Sequence, residues 1–386
     1  MEPQPCTGDR NSGESKLKLI FTGDTRLIRT PGTEQAGKPQ SPFARVQHLL
    51  QGADVLSGNL ECFFTEDLEN QKGLWKHPKV LRADPAMATT LVEAGFSILN
   101  LANNHMMDGG PQGLETTTDT LNRIGLPWSG AGRGHGQAIA PAWLERGGRT
   151  LAFIGAGDNS HDYAGPETPG VAPMEPFGDL LQRTREAAEQ ADIVVVQLHA
   201  DLEFSYAPAP YRVKLSRALI DHGATLVIQH HPHVVQGVER YRNGLIAYSL
   251  GNFVFNVRGN AYQEGFPEAR YGWILSVDLD PATHGVTGWD MEPVWIADDH
   301  RPEPIEGAPR ETALRDFAGR CAVLRSSRQL RRAWLGRSWR EARYHALMAY
   351  YKSRRGRPGA AMLDLLDLPM RPRNRFWLRA LPLLGR

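Results

Sequence analysis

The chain repeats one local design: a short apolar, often β-branched run that stops at a side chain able to bind a metal or move a proton. Residues 16–22 run into Gly23-Asp24, and residues 53–57 into Gly58-Asn59-Leu60-Glu61. Residues 96–101 lead to Ala102-Asn103-Asn104-His105, with Asp108 close behind. Residues 193–198 deliver His199, followed by Glu203, and residues 224–228 deliver Gln229-His230-His231-Pro232-His233. Runs of this kind read as buried strands. Open α/β sheets take their ligands beyond the carboxyl ends of such strands. Segments 85–95, 111–124, 179–190 and 211–222 have helical patterns, so strands and helices alternate as in an α/β layered domain. Segments 271–280 and 289–296 read as antiparallel strands that close it.

The densest polar cluster is the histidine stretch. Imidazole is the commonest transition-metal ligand, and a His-x-His pair is a compact way to present two. Pro232 disfavours a helical His231 and biases it towards an extended conformation, so His231 and His233 are expected to face a common centre. Asp24 and Glu61 are placed as hard-oxygen ligands, and Glu203 as an acceptor for His199 or a proton donor. The competing reading at each position is a polar turn whose Asn, Asp and His side chains cap backbone groups.

Composition bounds the rest. With 386 residues, 41% hydrophobic and 23% charged, the chain suits one large globular domain with an appendage. Cys6, Cys62 and Cys321 lie far apart, which suggests neither a disulfide framework nor a thiolate zinc site. No secretory h-region and no long apolar span is visible, so cytoplasmic residence is expected. The net charge of +1 hides a split. From Arg310 onward there are 19 Lys+Arg against 5 Asp+Glu, a net +14, and the preceding residues carry −13. Three segments are therefore expected: a disordered 1–15, a body over 16–307, and an Arg-rich helical extension over 308–386. The terminal stretch from Arg375 to Leu384 is basic and amphipathic, which suits peripheral contact with the inner membrane or docking on the acidic body.

Taken in order, Gly23-Asp24, Asn59-Leu60-Glu61, Asn103-Asn104-His105 with Asp108 and Gly110, His199 with Glu203, His230-His231-Pro232-His233 and Tyr248-Ser249-Leu250-Gly251-Asn252-Phe253 resemble the CapA family of capsule or poly-γ-glutamate biosynthesis proteins, related to calcineurin-like metallophosphoesterases. The resemblance implies an α/β fold, a four-layer α/β/β/α metallophosphoesterase-like sandwich, with a metal cleft along one edge of two packed sheets. It implies that Asp24 and His233 hold one divalent ion, that Asn104, His199 and His231 hold another, and that Glu61 bridges them. Mn, Zn, Fe and Mg are not distinguished. His105 would then be the proton donor or oxyanion stabiliser.

This chain departs from that pattern in several places. Arg26 stands where the phosphoesterase pattern has an imidazole ligand, and an arginine stays protonated and cannot ligate. Gln229 replaces a glycine, and Ala200-Asp201 follows His199 in place of Trp-Gly. One tightly held ion instead of two is compatible with these changes. The function expected is a metal-dependent hydrolase acting on an anionic polymer or phosphoester in capsule or exopolymer synthesis. The alternative is a non-catalytic accessory protein that binds polymer or synthesis partners. No nucleic-acid module accompanies the arginines, which disfavours nucleic acid as a partner.

Overall fold

A computed structural model describes residues 16–28, 40–68, 80–158, 162–258 and 261–336. The strands of its two large sheets are, in chain order, β1 (Leu17–Thr25), β2 (Val55–Leu60), β3 (Ile98–Asn100), β4 (Trp128–Ser129), β5 (Ala142–Arg146), β6 (Arg149–Gly157), β7 (Ile193–His199), β8 (Leu226–His230), β9 (Val238–Tyr241), β10 (Gly244–Ala247), β11 (Asn252–Val254), β12 (Tyr271–Leu279), β13 (Val286–Ile296) and β14 (Pro302–Pro304). The first sheet has the order β14-β13-β12-β1-β2-β3-β4, with β11 also paired to β1. Its half from β1 to β4 is parallel, and β12, β13 and β14 are antiparallel. The second sheet has the order β9-β10-β8-β7-β6-β5, parallel in the centre and antiparallel at both edges.

Side-chain alternation along the strands builds the layers. Leu19 and Phe21 of β1 face Val195 of β7 and Ile228 of β8 in a core between the sheets, whereas Ile20 points to the opposite side. There it joins Leu91 of the Thr89–Ala94 helix and Leu114 and Leu121 of the Gly110–Arg123 helix. On the outer face of the second sheet, Val194, Val196 and Val227 pack with Leu180 of the Phe177–Ala188 helix and Leu219 of the Pro210–Asp221 helix. The result is the expected α/β/β/α order. Strands that are buried on both faces explain why their sequences read as continuous apolar runs.

Segment 234–238 forms only an isolated bridge between Val235 and Leu250, and pairing begins at Val238. The Ala142–Arg146 edge strand carries no clear signal in the sequence. The Gly307–Leu324 helix carries Phe317 into the core between the sheets. Its Arg320 donates to the Val235 carbonyl at 2.6 Å. Residues 327–336 are again helical, with Leu330 and Trp334 buried against the second sheet's outer layer and its loops. Among the described residues, no helix is long and apolar enough to cross a membrane. The 1–15 segment and the stretch from Arg375 to Leu384 lie outside the described residues.

Candidate metal-binding cleft

The parallel strands β1, β2, β3, β7 and β8 all end on one side of the sandwich, and the polar residues that follow them converge there. At Gly23 a Cβ would lie 2.1 Å from the Gly251 carbonyl oxygen, so only glycine allows β1 to press against the chain before β11. That approach lets the Asp24 N–H donate to Gly251 at 2.9 Å and seats its carboxylate in the cleft. Asp24, Glu61, His199, His230, His231 and His233 are all buried, whereas Asn104, His105 and Glu203 are partly exposed at the mouth.

Three potential ligand sets share this cleft: Glu61 with His199 and His231, Asp24 with Glu61 and His233, and Glu203 with His231 and His233. In each, the ligand atoms lie within 4.8 Å of one another. Asn104 Oδ1 is 2.7 Å from His199 Nε2, which is 3.0 Å from His231 Nδ1 and 3.7 Å from Glu61 Oε1. His233 Nε2 lies 3.7 Å from the same Glu61 oxygen, and its Nδ1 lies 3.4 Å from Asp24 Oδ2. Glu61 thus stands between the two groups. Glu203 joins the cluster beside His231 and His233.

His231 is not extended. Its φ is +95°, and its N–H donates to Asp24 Oδ2 at 3.2 Å. His233 is also left-handed, with φ +56°. Hydrogen bonds and packing in the cleft override the local preference that Pro232 sets.

Electrostatics point to a cation. Burial, reinforced by the Asp24 charge, holds the Glu61 carboxyl well above its usual range. Neither Glu61 oxygen has a hydrogen-bond partner although both are shut off from solvent. Burial would also raise Asp24, but hydrogen bonds with His230 and His233 outweigh it and hold this carboxyl well below its usual range. Burial opposes a proton on His233, yet Glu61 and Asp24 outweigh it and push its pKa up to about 10. Burial first, then a neighbouring imidazole, keeps His199 and His231 neutral. A buried carboxylate with no donor, set among neutral imidazoles, fits a divalent ion. Such an ion would displace protons from Glu61 and His233.

Around the cluster lies a shell of amides whose part in the site the motifs alone do not disclose. Asn59 Nδ2 donates to Asp24 Oδ1 at 2.9 Å and lies 3.2 Å from His199 Nδ1. Its Oδ1 accepts from Asn100 and Asn103. Asn252 Oδ1 is 2.8 Å from His233 Nδ1. Beneath the loop after β7, Asp201 pairs with the fully buried Arg212 at 2.5 Å, and Arg212 also donates to Gln229 and to the Tyr248 carbonyl. A signal for these residues does exist: Asn100 is a polar position inside an apolar run, and Asn59 and Gln229 stand just beyond the ends of two others. His105 Nδ1 lies 2.7 Å from Asp108 Oδ2, which leaves its Nε2 towards Glu61, 4.0 Å from Oε1. Arg26 Nη1 donates to Asn256 Oδ1 at 2.6 Å.

Fold and site together define a two-sheet α/β/β/α protein with a carboxylate, imidazole and amide cleft at the strand ends. The family described as bacterial capsule synthesis protein PGA_cap matches residues 18–257, and the chain belongs to it. The capsule biosynthesis protein CapA of Bacillus anthracis is 33% identical over 307 residues, covering 76% of this chain and 70% of that protein. The PGA biosynthesis protein CapA of Bacillus subtilis (strain 168) is 36% identical over 308 residues, covering 78% and 77%. A probable polyglutamine synthesis accessory protein of Mycobacterium tuberculosis (strain ATCC 25618 / H37Rv) is 28% identical over 256 residues, covering 63% and 66%. Among solved structures, a phosphatase from Mycoplasma pneumoniae aligns with TM-score 0.48 and 14% identity, covering 76% of this chain and 96% of that one.

Proposed function

We propose that this chain is a metal-dependent hydrolase that cleaves a phosphoester or amide bond in an anionic surface polymer during capsule synthesis. The observation that carries the reading is Glu61, a buried carboxylate without a hydrogen-bond donor among three imidazoles and Asp24. Asp24 and His233 would hold one ion and Asn104, His199 and His231 a second, with Glu61 shared. Bound divalent ions supply Lewis-acid polarisation of a phosphoryl or acyl oxygen.

The chain's own residues do the remaining work. Asp108 accepts from His105 Nδ1 and fixes the ring, so that Nε2 can give a proton to a leaving group at the mouth. Glu203, partly exposed beside His231 and His233, is placed to carry protons to solvent. Asn59 and Asn252 hold the imidazoles in fixed orientation.

The test is elemental analysis of the purified protein, paired with assays on a generic phosphodiester and on a γ-glutamyl peptide before and after chelation. Bound metal with turnover that chelation abolishes supports the reading; metal-free protein that turns over neither substrate defeats it. Bound metal without turnover on either substrate would favour the second reading, a non-catalytic accessory component that binds polymer or other synthesis proteins. The observation favouring that reading is Arg26 at a position where an imidazole ligand is expected. The name of the Mycobacterium tuberculosis relative lends it support. Under either reading the basic C-terminal segment provides a peripheral contact with an anionic membrane.

A further inference from the structure

The two loops that carry the histidine ligands are stitched to each other. The Ala200 N–H donates to the His230 carbonyl at 3.2 Å, the Phe204 N–H to the Pro232 carbonyl at 2.7 Å, and Gln236 Nε2 to the Ser205 carbonyl at 2.7 Å. The loop after β7 holds two left-handed residues, Asp201 with φ +100° and Phe204 with φ +58°. A residue other than glycine keeps such a conformation only where its surroundings over-determine it. At Asp201 they do. Oδ1 accepts from the Leu202 N–H and from Trp334 Nε1, and Oδ2 accepts from the Ala209 N–H and from Arg212.

Two of the supports come from the C-terminal segment. The buried Trp334 packs with Leu202 and Ala209, and its indole reaches Asp201, two residues from both His199 and Glu203. Arg320 spans both loops. Its Nη1 donates to the Val235 carbonyl, two residues past His233, and its guanidinium carbon lies 4.8 Å from the centre of the Tyr206 ring, three residues past Glu203. The helix that carries it is seated closely: a Cβ at Gly237 would lie 2.8 Å from the Arg320 carbonyl oxygen, and Cys321 Sγ accepts from the Val238 N–H at 3.3 Å. A planar guanidinium can bond a carbonyl and lie on an aromatic ring at the same time, which fixes the two loops relative to one another. We propose that Arg320 and Trp334 are positioning residues of the metal cleft, which hold His199, Glu203, His231 and His233 of the second sheet's loops in register with Asp24 and Glu61 of the first. The inference rests on the metal-cleft reading for its effect on binding, and it makes the C-terminal segment part of the site's framework.

The experiment compares the full chain with Arg320→Met, which keeps the aliphatic stem and loses the donor, and with Trp334→Phe, which keeps an aromatic ring and loses the N–H. Hydrogen exchange is measured first, on protein treated with a chelator. The amides of Ala200, Phe204 and Gln236, which bond the His230, Pro232 and Ser249 carbonyls, are expected to lose protection in both variants while the amides of β1 keep theirs. Titration with Mn²⁺ and with Zn²⁺, at a temperature where every variant is folded, is expected to show binding about tenfold weaker than in the wild type, the lower end of what losing a group that supports a ligand costs. Leu121→Ala serves as the control for a merely structural loss, since Leu121 is buried at the far end of the Gly110–Arg123 helix in the first sheet's outer layer. It is expected to lower the melting temperature and to leave loop protection and ion affinity as in the wild type. Unaltered loop protection in both variants, unaltered affinity in both, or an equal loss of affinity in Leu121→Ala would each overturn the proposal. A wild type that takes up neither ion counts against the hydrolase reading, and the exchange data alone then decide whether Arg320 and Trp334 hold the loops.

Discussion

Asn59 Nδ2 lies 3.2 Å from His199 Nδ1, and with that contact an amide of the first sheet meets an imidazole of the second. Since Nδ1 accepts there, the His199 proton sits on Nε2, facing Asn104 and His231. For Nε2 to offer its lone pair to a cation, the proton must move to Nδ1 and the Asn59 amide must turn its oxygen towards it. Asn59→Ala should therefore weaken metal binding by about 10–100-fold, the usual effect of losing a group that supports a ligand. It also strands buried partners on Asp24, Asn100 and Asn103, each costing about 1–3 kcal/mol in stability. Metal titration and denaturant melts measure the two effects, and an unaltered metal affinity would refute the supporting role.

His231 belongs to two of the three ligand sets. His231→Ala should remove bound metal and any hydrolysis while the folded core persists, because the residue lies past the end of β8 and outside the apolar clusters. Full metal content in the purified variant would show that His231 is not a ligand.

His105→Asn should leave metal occupancy unchanged and cut turnover by about 10²–10⁴-fold, the range for general acid–base groups. A loss smaller than about tenfold in an active preparation would exclude His105 as the proton donor.

Asp158 supplies a pH test away from the ligands' own side chains. Burial raises its pKa to about 7, against the opposing hydrogen bond from Tyr211 Oη at 2.8 Å. Its unfolded value is about 3.9. The folded state binds the proton more tightly, so this residue's contribution is fully present below about pH 4 and is lost as pH rises to about 7. The total is on the order of 4 kcal/mol. Asp158→Asn, which keeps an acceptor for Tyr211, should flatten the stability profile across that window. An unchanged slope in melts between pH 4 and 8 would rule the titration out.

Truncation after Glu306 removes Phe317, Leu324, Leu330 and Trp334, each buried in the folded chain. Full burial of such side chains is worth about 1.5–3 kcal/mol apiece, so a large fall in thermal stability is expected. Co-sedimentation with anionic vesicles of the full chain and of this truncation tests the membrane contact: equal recovery of both would eliminate it.

The architecture is readable because strands buried on both faces leave long β-branched runs, and the ligand candidates because those runs stop at Asp24, Glu61, His199 and His231. The supporting amides are harder to read. Asn59 and Gln229 are single polar residues at the ends of apolar runs, and one polar position does not say which neighbouring strand will satisfy it. The left-handed His231 is illegible locally, since the preference set by Pro232 ignores the hydrogen bond its N–H makes to Asp24, 207 residues away in sequence. The basic C-terminal segment looks like a separate appendage because its charge is so one-sided, 19 Lys+Arg against 5 Asp+Glu. Apolar residues inside it, Phe317 among them, pack on the body, and a sequence pattern does not name the surface that receives them.

Trp334 Nε1 donates to Asp201 Oδ1 at 3.3 Å across a separation of 133 residues. During synthesis the turn that carries Glu203 leaves the ribosome long before that indole exists. Until residue 334 emerges, Asp201 has Arg212 as its salt-bridge partner but lacks the indole cover, so the cleft is completed late in translation even though its ligands come from the first two-thirds of the chain.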